Sequence, residues 1–215
     1  MGTVSLHALG IDEFRDVFAG SEAVAARLRA LAAATWPPSP EPRTLLGKLG
    51  PFSRRGVGAP VMRPGVPTGH DLDDVVHGRD VSPARLSAAW ALVDLWLTNA
   101  AWSAVTLTAT EADFDALDFA LAKVGVPARL GLRNLFNDAV GVPLKRQPGQ
   151  ATGYVRGTHA TAMASAWAQA LPDLEDGPRA HAERLASWLS GFPEWARKAE
   201  EAGRTAPDLL ADYRP

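Results

Sequence analysis

Residues 82–101, Ser-Pro-Ala-Arg-Leu-Ser-Ala-Ala-Trp-Ala-Leu-Val-Asp-Leu-Trp-Leu-Thr-Asn-Ala-Ala, predict the central core helix of this chain. Ser82 is a suitable N-cap, and Pro83 suits the first helical position. Apolar side chains then recur at helical spacing along one face: Leu86, Trp90, Val93, Leu97 and Ala101. We therefore expect the rest of the domain to pack around this helix.

Short strands and further helices flank the central helix on both sides. Residues 3–9 and 104–109 alternate apolar and polar side chains and predict strands, and residues 140–144 and 152–156 are weaker strand candidates. Helical spacing predicts helices over residues 11–18, 21–36, 68–77, 110–124, 130–136, 158–171, 178–191 and 193–202. The pattern indicates a helix-rich α+β fold with a small sheet of short strands, in a single domain over residues 1–215.

The composition excludes several functional classes. The 215 residues include no cysteine, which removes disulfides, thiolate metal sites and cysteine nucleophiles. A net charge of −2 provides no general attraction for nucleic acid or anionic membranes. No stretch approaches the roughly 18 apolar residues of a membrane span, and the start of the chain lacks a signal-peptide pattern. A cytoplasmic protein is the expectation.

Residues 37–69 differ in character from the rest of the chain, because proline, glycine and arginine dominate them. A segment of this length without regular structure is usually functional or poorly ordered. Arg54 and Arg55 stand among glycines, so guanidinium groups and bare backbone amides could together contact a phosphate or a carboxylate. A surface-wrapping arm is the alternative interpretation.

The stretch that follows, residues 68–80, holds two of the five histidines and four aspartates. Thr68 with Asp71 predicts a capping box, and Gly78 predicts the helix end. On such a helix His70, Asp74 and His77 share one side, and imidazoles with a carboxylate suit zinc or another divalent transition metal. The same pattern describes an ordinary solvated helix face, so both interpretations stay open.

Two further positions favour an anionic ligand. Arg79 follows the short helix, where it either contacts such a ligand or forms a surface ion pair. Tyr154, Arg156 and His159 stand beside a predicted helix start, which Thr158 would cap, and helix starts attract anions. An ordinary capped helix with polar surface groups is the alternative for the second position.

The order of elements resembles an uncharacterised actinobacterial family of unknown function, and more distantly the YfbM-like proteins. The likeness covers residues from about 72 to the end of the printed sequence. It rests on Leu72-x-x-Val75-Val-x-Gly78-Arg79, the helix ending near Trp96, Phe114-x-x-Leu117-Asp-x-x-Leu121-x-x-x-Gly125-Val126, Gly153-Tyr154, Trp188-Leu189, Asp208-Leu209 and Tyr213. These residues are structural, so the resemblance implies no activity, cofactor or catalytic residue.

Common catalytic signatures such as the P-loop, Gly-x-Ser-x-Gly and His-Glu-x-x-His are missing from the sequence. The leading expectation is therefore a non-catalytic binding domain for a protein partner or a small anionic ligand, without a cofactor. The alternative is a metal-dependent hydrolase centred on His70, Asp74 and His77. Neither of these two functional expectations predicts an oligomeric state.

Overall fold

The computed structural model of the protein describes residues 2–37 and 65–215. Arg54 and Arg55, with most of the segment over residues 37–69, lie outside the described residues. The strands are Gly2–Leu9 (β1), Ser103–Ala109 (β2), Ala151–Val155 (β3) and Asp208–Arg214 (β4). The α-helices are Ile11–Arg15 (α1), Glu22–Thr35 (α2), Gly69–Val76 (α3), Leu86–Ala100 (α4), Glu111–Lys123 (α5), Gly157–Ala170 (α6), Asp176–Leu189 (α7) and Phe192–Glu201 (α8).

Within this described part, the four strands form one antiparallel sheet in the order β2-β1-β4-β3. The two central strands, β1 and β4, come from opposite ends of the sequence. Leu6 of β1 stands opposite Val105 of β2 on one side and Ala211 of β4 on the other. The helix-rich α+β prediction is confirmed.

Helices cover both faces of the sheet, and each face has its own apolar core. One core joins Val4 and Leu6 of β1 to side chains of α5, α6, α7 and α8. The other joins Leu9 and Leu210 to side chains of α1, α2, α3 and α4. Trp90 of α4 is 1% exposed, in agreement with the predicted central helix. The sheet thus lies between two helical layers.

The predicted capping box at the start of α3 is present, and α5 begins with a second one. The Thr68 hydroxyl accepts from the Asp71 amide at the start of α3, and the Asp71 carboxylate accepts from the Thr68 amide. Thr110 and Asp113 repeat this arrangement at the start of α5. Gly78 has a φ of +61°, as expected for a residue that ends a helix in the left-handed region.

One predicted strand is absent from the sheet, and one strand of the sheet was not predicted. Residues 140–144 form no strand, because Gly141 takes a φ of +68° and Pro143 supplies no backbone N–H; Val140 and Leu144 are buried as anchors of an irregular segment. The central strand β4 was not predicted. Its run Leu209-Leu210-Ala211 is buried on both faces, so the strand lacks the alternation of a half-exposed one.

No helix of the described residues is both long and apolar enough to span a bilayer.

Gly153 in β3 provides a test of this packing. A Cβ atom there would lie 2.1 Å from the Leu135 carbonyl oxygen and 2.7 Å from the Phe136 Cα, both of them backbone atoms. We expect Gly153→Ala to lower the free energy of unfolding by at least about 2 kcal/mol, measured by urea denaturation. Gly177→Ala in α7 is the control, because a Cβ there meets nothing within 4 Å. An equal effect of the two substitutions would contradict the close approach.

Candidate functional site

A pocket of ≈ 500 Å³ opens at the start of α6. Its walls are the first turn of α6, one side of α8 and residues 205–208, which lead into β4. Phe192, Pro193 and Ala196 give an apolar wall, and the hydroxyl-bearing residues Thr158 and Thr161 stand on the α6 side. The pocket therefore combines an apolar body with a polar rim, as ligand pockets of proteins do.

A buried carboxylate fixes the geometry at the base of this pocket. Asp208 is 5% exposed, and its Oδ2 accepts from the Ile11 amide at 3.1 Å and from Arg156 Nη1 at 3.1 Å. Its Oδ1 accepts from the Gly157 amide at 3.3 Å. Asp208 thus accepts from the first backbone amide of α1 and of α6, and neither amide has an acceptor within its own helix. The prediction that Thr158 caps α6 is wrong, because Arg156 is the N-cap residue and Asp208 supplies the acceptor.

Arg156 is the exposed cation of the pocket. Its side chain is 64% exposed, and within the described part of the chain only its Nη1 donates a hydrogen bond, to Asp208. The guanidinium lies 5.7 Å from the ring centroid of Tyr154, and the Arg15 guanidinium lies at the same distance from that ring. Arg15 is held in turn by Nε, which donates to the Val140 carbonyl at 2.9 Å.

The structure therefore joins two of the three predicted anion-site residues near the start of α6, namely Tyr154 and Arg156. The third, His159, turns away from the pocket. Its Nε2 lies 2.9 Å from the Arg129 carbonyl oxygen, which can only accept, so Nε2 carries the proton. Sequence inspection missed Asp208 and Arg15; the only available signal was the Asp208-Leu209 pair of the resemblance.

Of the predicted metal ligands at α3, His70 and His77 are exposed, whereas the Asp74 side chain is only 15% exposed. His70 is 82% exposed with Nε2 3.6 Å from Asp74 Oδ2, whereas His77 Nδ1 lies 2.8 Å from the Asp73 carbonyl oxygen. In residues 2–37 and 65–215, no group of three or more His, Asp or Glu side chains is placed to hold a metal ion. The metal-dependent hydrolase stays a prediction without a ligand set in that part of the chain.

Arg79 forms an ion pair with the same aspartate, since its Nη1 lies 3.8 Å from Asp74 Oδ1. The neighbouring Asp80 pairs with Lys145 at 2.7 Å. Arg79 thus lies among the side chains that follow α3, away from the residues that line the pocket at α6. Its predicted contact with an anionic ligand stays a prediction.

A second group of polar side chains lies under α4, and we call it the polar cluster: His7, Asp94, Gln150, Asp212 and Arg214. Arg214 donates to both oxygens of Asp94 at 2.6 Å. Its Nε lies 2.7 Å from Asp212 Oδ2, an ion-pair contact, and Gln150 Nε2 donates to Asp212 Oδ1 at 2.6 Å. The cluster joins α4 to β4 and to residue 150 before β3.

Burial dominates the electrostatics of this cluster. It lowers the pKa of His7 from 6.5 to about 4, and the His7 Nδ1 has no hydrogen-bond partner among the described residues. Burial also raises the pKa of Asp212, against the opposite effect of Arg214. Perturbed pKa values often mark functional sites. His7 and Asp212 are each only 8% exposed, however, so the exposed part of the cluster is the ion pair of Arg214 with Asp94.

The low pKa of His7 predicts an acid-sensitive fold. The unfolded chain takes up a proton at His7 near pH 6.5, whereas the folded chain does so only near pH 4. The contribution of His7 to the free energy of unfolding is therefore fully present above pH 6.5. It is lost as the pH drops toward 4, by about 3 kcal/mol in total. Asp212 acts in the opposite direction. Because its pKa is raised, the folded chain binds a proton there at a higher pH than the unfolded chain does, which stabilises the fold as the pH falls.

The measurement is the free energy of unfolding of wild type and of His7→Leu between pH 7 and pH 4. The difference between the two proteins cancels the contribution of Asp212 to first order. We expect the wild type to lose stability more steeply than the variant. Parallel pH curves would show that His7 takes up its proton at the same pH in the folded and unfolded states.

Comparisons with known proteins identify a family but no activity. A family model for a domain of unknown function, DUF7691, matches residues 53–210, which is more than half of the chain. The matched region includes α3 to α8 and the pocket residues Arg156 and Asp208, whereas β1, α1 and α2 precede it. No curated protein and no solved structure matches the chain. The chain therefore belongs to the DUF7691 family, whose function is unknown.

Proposed function

We propose that this protein binds a small anionic ligand in the pocket at the start of α6, with Arg156 as the charged contact. The observation that carries the proposal is an exposed guanidinium that the fold holds in place at the mouth of a pocket. The Asp208 carboxylate holds it from one side at 3.1 Å, and the Tyr154 ring lies 5.7 Å from it. A cation that is already positioned loses little conformational freedom when a ligand binds.

Among the residues that line the pocket, Arg156 is the cation and Asp208 the anion. α6 has 14 residues, and the start of such a helix carries a partial positive charge. Asp208 compensates this partial charge through its contact with the Gly157 amide, and Arg15, which lies at the Tyr154 ring outside the pocket lining, pairs with Asp12 at 3.5 Å. The remaining N–H groups of Arg156 form a planar fork, which matches the two oxygens of a carboxylate or a phosphate.

The size and lining of the pocket describe the rest of the ligand. Its ≈ 500 Å³ lies within the usual range for small-molecule pockets, about 300–1,000 Å³. Phe192, Pro193 and Ala196 would contact an apolar part, and hydroxyls of Thr158 and Thr161 would contact polar atoms. A carboxylate with an apolar body satisfies these requirements better than a bare inorganic anion.

Titrations monitored by amide NMR test the proposal with hexanoate, benzoate and inorganic phosphate. We expect the carboxylates to shift amide signals of residues 156–161, and phosphate to do so less. Arg156→Gln should weaken carboxylate binding about 10-fold to 100-fold, because it removes a charge-assisted hydrogen bond. Arg184→Gln is the matched control, since Arg184 is an exposed arginine that donates to the Thr106 carbonyl.

Carboxylate binding that survives Arg156→Gln unchanged would contradict the proposal. Shifts confined to residues 70–77 after zinc addition would instead favour the metal-dependent alternative. Elemental analysis of the purified protein tests that alternative separately.

A further inference from the structure

A second depression, between α6 and α7, adjoins the pocket at the start of α6. Thr161 and Pro193 line both the pocket and this depression of ≈ 460 Å³. This depression runs on between the two helices past Ala164 and Ala168 of α6. The two concavities therefore adjoin at Thr161 and Pro193, and we call them together the α6–α7 groove.

The length of the groove suits an elongated occupant better than a compact one. From Arg156 to Ala168 the helix rises by about 18 Å, at about 1.5 Å per residue. Five or six residues of extended polypeptide cover that distance at about 3.3 Å per residue. Small side chains such as Ala164, Ala168 and Ala186 line the groove, so a main chain could approach both helices closely.

The polar atoms along the groove favour a polypeptide over an alkyl chain. Thr161 Oγ1 donates to the Gly157 carbonyl at 3.0 Å, and Ser190 Oγ donates to the Ser187 carbonyl at 2.6 Å. A hydroxyl that has donated its proton still accepts through its lone pairs. These hydroxyls therefore suit the N–H groups of a bound main chain, whereas an alkyl chain would cover them without compensation.

The charges at the two ends give the occupant a direction. The exposed cation Arg156 lies in the pocket, and the acidic residue Glu183 lines the second depression. A carboxylate at the Arg156 end and a basic group near Glu183 would complement both charges. A C-terminal segment of a polypeptide has this arrangement when a lysine or arginine stands about five residues before its free carboxylate.

We infer that the α6–α7 groove binds the C-terminal segment of a partner polypeptide, with its terminal carboxylate at Arg156. This inference rests on the proposed function, because it names the class of carboxylate that the pocket binds. The contact would combine capture of a terminal carboxylate with small-residue packing along the helices.

Fluorescence polarisation with labelled peptide pools tests the inference. The probes are hexapeptides with an N-terminal label, lysine at the first position and mixtures of alanine, valine and leucine thereafter. One pool carries a free C-terminal carboxylate and the other a C-terminal amide. We expect the carboxylate pool to bind at least 10-fold more tightly than the amide pool, and Arg156→Gln to remove that difference.

Two exposed positions of α6 give a matched pair of variants. Ser165 lines the groove, whereas Ala162 is exposed outside its lining. Ser165→Phe should weaken binding of the carboxylate pool at least 10-fold while hexanoate still shifts the amides of residues 156–161. Ala162→Phe should leave the affinity for both ligands unchanged, and thermal denaturation checks that both variants fold.

The outcomes separate this inference from the proposed function. Equal affinity for the two pools, or peptide binding unchanged in Ser165→Phe, overturns the inference, and the proposed function stands if hexanoate still needs Arg156. Hexanoate binding that is independent of Arg156 overturns both. Self-association of the protein that Ser165→Phe abolishes, without peptide binding, assigns the groove to a second copy of the chain and also overturns the inference.

Discussion

The carboxylate of Asp208 is the contact on which both the fold and the candidate site depend. It is buried, and it accepts hydrogen bonds from the first amides of two helices and from one arginine. A carboxylate in this position compensates the partial positive charge that each helix start carries. Without it, α1, α6 and β4 would meet with unsatisfied N–H groups, and Arg156 would lose its fixed position.

The same contact sets the chemistry that the pocket offers. One N–H of Arg156 already donates to Asp208, so fewer of its N–H groups remain for a ligand. The same contact holds the remaining N–H groups in one orientation. Such a site favours a carboxylate that matches the free side of the fork over a small, highly charged anion. Under the proposed function, selectivity at the pocket would originate in a side chain that is itself only 5% exposed.

Local features of the sequence predicted most of the helices, because their signals lie within a few residues. The capping box of Thr68 with Asp71 and the glycine stop at Gly78 are examples. The strand β4 was missed because Leu209, Leu210 and Ala211 are apolar on both faces, which hides the alternation of a strand. Its position in the middle of the sheet depends on a partner about 200 residues away.

The candidate site shows the same division between local and distant information. Tyr154 and Arg156 were found from their proximity to a helix start, whereas the pairing of Arg156 with Asp208 bridges separate parts of the chain. The groove is likewise a property of two packed helices, and neither helix alone predicts it. The interpretation of residues 70–77 as a solvated face or a ligand set was open in the sequence, because spacing does not tell where a helix faces.

The order of the strands in the sheet also has a consequence for biosynthesis. β4 leaves the ribosome after its central neighbour β1 and after the eight helices of the described residues. Until then β1 can pair only with β2, and the two helical layers lack the strand on which both of them pack. Closure of this sheet therefore follows the synthesis of both helical layers, and their apolar faces lack this strand until β4 has been made.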